Sequence, residues 1–388
     1  MFTLPNLPSA RTRTVRTLFV DFKSYYRSTT FPTKVPASFE IEIDDSTFLP
    51  NVDEPTADWV SMIATPAFKA YKELRPNKVK KFATVGTGSG LDAIIASEIY
   101  DLELLAITDL HRNVVATAAR NVLSGLGSCS SSGTTIVFAA YGDLLSPLSN
   151  AGVKFDLVYE NLPNIPIEVT EDEITQGQTS AIYLEERKEK LPPIVQTNFL
   201  ALHFLAIKQA AEFLAPGGHI LSCIGGRVPI SVIVAIACSA GQGVHAQVHT
   251  YTWKEESEPE AIGGYVHYQK KGFGPFYWYP VEVLEELFCD ISAAEGGDRA
   301  YEIEAKLEAH KLDAVAAYSA YKRGAKVGHT VLVIRSSVLE GRTPKILNFS
   351  ENKFFCIFSV FCVPSLLFLV LLFVYDLPLR LRFLSLSM

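Results

Sequence analysis

Residues 81–110 read KFATVGTGSGLDAIIASEIYDLELLAITDL. A short apolar run, Phe82-Ala83-Thr84-Val85, leads into three alternating glycines, Gly86, Gly88 and Gly90. A helical pattern follows from Leu91 to Tyr100, then a second apolar run, Leu104–Ile107, ending in Thr108-Asp109. The order is strand, glycine turn, helix, strand, acid. Alternating glycines let the turn take positive φ and let a ligand lie against bare backbone. Asp109 falls nineteen residues past Gly90. A carboxylate at that strand tip can accept both hydroxyls of an adenosine ribose.

The glycine spacing narrows the ligand. Dinucleotide sites favour G-x-G-x-x-G, which seats a pyrophosphate. Here the pattern is G-x-G-x-G, Gly86-Thr87-Gly88-Ser89-Gly90, followed by Leu91-Asp92. It resembles the first motif of the class I S-adenosylmethionine-dependent methyltransferases, whose ligand carries no phosphate.

The bulk composition bounds the rest. The chain has 388 residues, 48% of them apolar, enough for a large core. A net charge of −7 and no dense basic run argue against a nucleic-acid partner. Six scattered cysteines without a C-x-x-C pair suit a reducing, cytoplasmic compartment and argue against a metal cluster. His245 and His249 sit in a strand pattern without a third ligand nearby.

Along the chain, residues 1–38 read as a polar N-terminal extension lying on the surface. Phe39–Leu49 alternates and predicts a hairpin turning at Asp44-Asp45-Ser46. A helix is predicted to run to about Leu74 and to stop at Arg75-Pro76-Asn77. After Asp109, a helix is predicted over His111–Leu123 and a strand over Thr135–Ala139. That strand leads to Asp143, placed to accept from an adenine amino group. Phe155–Tyr159 is a strand ending in Glu160-Asn161-Leu162-Pro163-Asn164. Ligands bind outside the carboxyl ends of such strands, so a methyl acceptor belongs beside this loop. The Asn161 side-chain carbonyl and the Leu162 main-chain carbonyl can hold an amino group between them.

Residues 168–193 form an acidic insertion, read as a solvated face or a lid. Further on, helices are predicted over Phe199–Leu214, Ser231–Ala240 and Val281–Ala320. Ala215-Pro216-Gly217-Gly218 reads as a turn, and strands as Val244–Trp253, Gly272–Tyr279 and Thr330–Arg335. Residues 341–353 form a linker. Phe354–Tyr375 is 22 residues without a charge, and a helix of that length spans roughly 33 Å, enough for a bilayer core. It predicts a membrane anchor with the catalytic part on the cytoplasmic side. The alternative is a tail, running on through 376–388, that is no part of the working protein.

Taken together, residues 40–280 resemble the glutamine N-methyltransferases that modify peptide-release factors. The resemblance implies an α/β fold of the Rossmann-like class I type: a seven-stranded, mainly parallel sheet with helices on both faces, here over 39–340. It implies S-adenosyl-L-methionine as cofactor, held by Gly86, Thr87, Gly88, Ser89, Gly90, Asp109, Asp143 and Asn161. It implies Asn161 as the catalytic, acceptor-orienting residue, with Leu162, Pro163 and Asn164 on the substrate. Two positions depart from the family's Asn-Pro-Pro-Tyr loop, Leu162 for its first proline and Asn164 for its tyrosine. The acceptor expected is a nitrogen or sulfur atom of a small molecule or protein side chain. Rival readings are a nicotinamide-dependent oxidoreductase and a non-catalytic, membrane-tethered binding module.

Overall fold

Parallel strands buried on both faces need near-continuous apolar runs, and five parallel strands build the centre of this molecule. The computed structural model describes residues 15–44, 47–126, 135–164, 189–256, 261–338, 355–363 and 366–373. Strands β3 (Lys81–Val85), β4 (Leu104–Asp109), β5 (Ile136–Tyr141), β6 (Phe155–Glu160) and β7 (Leu214–Gly225) run parallel in the order β5-β4-β3-β6-β7. Strand β11 (Val327–Val338) lies antiparallel on β7, and β8 (Val244–Glu255) lies antiparallel on the far side of β11. Two reversals leave β8 pointing the same way as β3–β7. The expected antiparallel edge is thus a single reversed strand inserted between two that run with the sheet.

Alternation sends side chains to two cores. Phe82, Leu105, Ile107 and Leu157 pack on one face with α1 (Thr65–Leu74), α2 (Leu91–Ile99) and α3 (Arg112–Leu126). Ala83, Val85, Ala106 and Val158 pack on the other with α4 (Ala201–Ala210), α5 (Ile230–Ser239) and α6 (Ile262–Lys270). Short strands β9 (Tyr277–Pro280) and β10 (Leu312–Asp313) extend the sheet beside the start of β11.

Several expectations change. The segment after residue 38 does not fold on itself: β2 (Ser38–Asp44) pairs antiparallel with β1 (Val15–Asp21), so its partner lies upstream. Residues 15–38, read as a surface extension, bury Val20, Phe22, Tyr25 and Tyr26. The Tyr26 hydroxyl donates to the Leu91 carbonyl at 2.9 Å, tying this segment to the glycine turn. The helix expected over 199–214 stops at Ala210. The Ala215–Gly218 stretch forms the start of β7, where the register with β6 shifts between Phe155 and Leu157. The long helix expected over 281–320 is broken into helices at 281–288, 293–298, 300–307 and 314–322.

The expected C-terminal hydrophobic helix is also corrected. Residues 355–363 and 366–373 form an antiparallel pair, β12 and β13, and β12 adds to β5 antiparallel from Phe355↔Ala140 to Ser359↔Ile136. A charge-free apolar run has no period that separates helix from strand. Its β-branched and aromatic residues favour strands, Pro364 divides it, and β5 offers an open ladder edge. No helix among the described residues is long and apolar enough to cross a membrane. Most of the acidic insertion, residues 165–188, lies outside the described residues.

Candidate active site

The strand order reverses at β3 and β6, where a crevice opens outside the carboxyl ends of the strands. The cavity there is lined by Gly86, Thr87, Gly88 and Ser89 after β3, by Asp109 after β4, by Asp143 after β5, and by Asn161, Leu162, Pro163 and Asn164 after β6. Four segments distant in sequence therefore meet at one opening.

The glycine turn is pinned from beneath. The amides of Gly86 and Thr87 both donate to the Thr108 carbonyl, at 2.9 and 3.0 Å, and the Gly90 amide donates to the Thr87 carbonyl at 2.9 Å. Gly88 has φ +54°, and a Cβ there would meet no protein atom within 4 Å, so the bare backbone borders open space. Its amide donates to Asp109 Oδ2 at 3.2 Å, while the His111 amide donates to Oδ1 at 3.3 Å. Burial pushes the Asp109 carboxyl up, against the lowering pull of those two amides.

Gly90 is the one expected cofactor residue that the structure turns away from the cavity. It caps α2 at φ +86°, and a Cβ there would lie 3.1 Å from Val122 Cγ2 and 3.2 Å from the Ala118 carbonyl. Its glycine serves helix packing. Gly90→Ala is expected to cost about 2–4 kcal/mol in stability, from left-handed strain plus overpacking. A denaturant melt measures that cost, and it should exceed that of Gly88→Ala, which meets no neighbour.

Asp92, passed over in the sequence, also lines the cavity. Its carboxylate accepts from Thr84 Oγ1, from Thr87 Oγ1 at 3.1 Å and from the Ala93 amide at 2.8 Å. Burial outweighs these bonds and pushes the carboxyl up to about 6. An acid whose pKa is raised on folding makes the native state the tighter proton binder, so stability falls as pH rises from about 4 to about 6 and stays lower above. Asp92→Asn is expected to raise stability at pH 7–8 by about 1–3 kcal/mol and to leave it nearly unchanged at pH 4. Chemical denaturation at the two pH values checks this.

The acceptor-side loop packs directly on the turn. A Cβ on Gly86, at φ +71°, would lie 3.1 Å from Leu162 Cδ2 and 3.4 Å from the Asn161 carbonyl. Behind the loop, buried Glu160 holds the Leu162 amide at 3.2 Å and faces His203 Nδ1 with both oxygens at 3.0 Å. His203 Nε2 lies 3.1 Å from Asn164 Oδ1. The His203 ring thus bridges Glu160 and Asn164 and ties the loop to α4. Neither Glu160 nor His203 stood out in the sequence, because their pairing spans 43 residues.

Phe48, Pro50, Asp58 and Trp59 also line the cavity. Asp58 accepts from the Tyr25 hydroxyl and from the amides of Asn51, Val60 and Ser61, at 2.7–3.0 Å. It thereby fixes a π-helical turn at Val60–Ala64, just after Trp59. Arg227, Glu256 and Tyr265 complete the lining. Cys223 also borders it, but burial pushes its thiol far up, so it offers no thiolate nucleophile.

No family model and no curated protein matches the chain. Among solved structures it is similar to a ribosomal protein L11 methylase from Lactobacillus delbrueckii subsp. bulgaricus, at 15% identity over 50% of this chain and 72% of that one, with a TM-score of 0.31. It is also similar to a putative RNA methyltransferase from Pyrococcus horikoshii, at 11% identity over 72% and 85%, TM-score 0.35. A putative S-adenosylmethionine-dependent methyltransferase from Streptococcus mutans is a third, at 8% over 58% and 50%, TM-score 0.35. At such distances the chemistry rests on the cavity itself.

Proposed function

We propose that this chain is an S-adenosyl-L-methionine-dependent methyltransferase that moves a methyl group to a nitrogen, or sulfur, of a small molecule or protein side chain. The observation that carries this reading is the convergence of the glycine turn, Asp109, Asp143 and the Asn161 loop on one cavity at the switch point of the sheet. The residues fit the group. Bare Gly88 leaves room for close approach, and Asp109 is a carboxylate at ribose distance in sequence. Asp143 accepts from the adenine, and Asn161 with the Leu162 carbonyl orients the acceptor.

The cofactor supplies a methyl already activated on a sulfonium. The chain's task is then alignment, which can supply roughly 7–11 kcal/mol of the barrier. Bound there, the cofactor would supply its methyl to an acceptor nitrogen oriented by Asn161 and the Leu162 carbonyl, and that nitrogen's proton would pass to water. Leu162 and Asn164 favour an acceptor other than the stacked glutamine amide of release factors. We place the reaction in the reducing cytoplasm, in keeping with the scattered cysteines. Calorimetric titration with S-adenosylhomocysteine, against NADH as control, tests the reading. Micromolar binding of the first alone is expected, and binding of NADH instead would overturn it.

A further inference from the structure

The cavity has a charged wall that the donor-side residues leave unexplained. Arg227 follows Gly225-Gly226 at the carboxyl end of β7, and Glu256 follows the end of β8. Their side chains are 7% and 6% exposed, with Nη2 2.7 Å from Oε2. Trp278 Nε1 donates to the same oxygen at 3.1 Å, and His329 Nδ1 lies 3.4 Å from it. The Arg227 guanidinium carbon sits 5.2 Å from the Tyr265 ring centre. Gly225 makes way for this arrangement: a Cβ there would lie 2.5 Å from Arg227 Nη1.

An ion pair withdrawn from water costs several kcal/mol per ion, and well-packed apolar residues commonly serve stability as well or better. Its cost is best understood by its position on the wall of a ligand cavity. Among the described residues, Arg227, Trp278 and His329 all meet Glu256 at Oε2. The guanidinium is a planar fork suited to a carboxylate. Opposite charges side by side match a ligand that also carries both, whereas a ligand of single charge would leave one of them opposed to its like.

Building on the methyltransferase reading, we propose that the Arg227–Glu256 wall binds the methyl acceptor, and that the acceptor is a small zwitterion of the free amino acid class. Arg227 receives its carboxylate and Glu256 its ammonium, while Trp59, Tyr159 and Leu202 line the space for its side chain.

The test is calorimetry on the full chain saturated with S-adenosylhomocysteine. Free amino acids are titrated in turn, followed by the decarboxylated amine and the N-acetyl derivative of any that bind. At least one amino acid is expected to bind, and removing either charged group from it should weaken binding at least about tenfold. This comparison uses the unaltered protein, so it stands whether or not variants fold. Glu256→Gln and Arg227→Gln, where folded, should show the same loss. The proposal is overturned if S-adenosylhomocysteine binds but no amino acid does, or if the derivatives bind as tightly as the parent. Failure of S-adenosylhomocysteine itself to bind would instead sink the methyltransferase reading beneath it.

Discussion

Alanine at position 109 is expected to weaken S-adenosylhomocysteine binding by about 100-fold or more while leaving the fold intact. Asp109 does two jobs. Its carboxylate receives the amides of Gly88 and His111 and so sets the shape of the turn. In the proposed complex it also accepts the ribose hydroxyls. Hydrogen bonds to a charged group contribute about 1.5–3 kcal/mol each, so losing a pair of them reaches the stated factor. Asp109→Asn separates the two jobs: one amide oxygen can still serve the turn, but its NH₂ cannot accept a hydroxyl. An intermediate loss, about tenfold, is expected. Titration of both variants, with circular dichroism to verify folding, gives the answer. Wild-type affinity in Asp109→Ala would remove Asp109 from the site.

The second large effect is expected in turnover. Asn161→Ala should lower kcat by about 100- to 1000-fold, the range seen when one preorganised polar group at a reacting centre is deleted. Affinity for S-adenosylhomocysteine should change by less than about tenfold. In the proposed complex Asn161 borders both ligands, because its backbone packs against Gly86 while its side chain belongs to the loop after β6. The loop is already held by Glu160 at Leu162 and by His203 at Asn164, so removing one side chain does not release it. Product formation at saturating donor, with the acceptor chosen by the amino acid titration, measures kcat. Equal losses in cofactor affinity and kcat would mark Asn161 as a cofactor residue only.

What was legible in the sequence was what local backbone chemistry dictates. Gly86 and Gly88 announce a turn of positive φ, which borders the cavity, and Asp109 announces itself at the tip of the next strand by distance along a βαβ unit. The same logic misassigned Gly90, because its spacing is that of a ligand glycine while its neighbours, Val122 and Ala118, come from a helix some thirty residues on. The Arg227–Glu256 wall and the Glu160–His203 pair were invisible for the same reason: each needs partners that only the sheet order brings together. The C-terminal segment was misread for lack of period, not for distance. Residues 38–44 alternated as a strand should, but nothing local tells a strand whether its partner comes before or after it.

The reversed strand β11 has a bearing on how this molecule is made. Strands β3 to β6 neighbour one another closely in sequence, and the glycine turn with Asp109 and Asp143 comes together from residues 81–143. The opposite side does not. β7 and β8 are held together through β11, whose first residue is Val327, so Arg227 and Glu256 have no shared scaffold until some seventy more residues have been synthesised. Non-local pairing of this kind is slow, because chain entropy is lost before the contact is gained. During vectorial synthesis, with folding proceeding from the N-terminus, a nascent chain would therefore form the glycine-turn side of the cavity before the Arg227–Glu256 side.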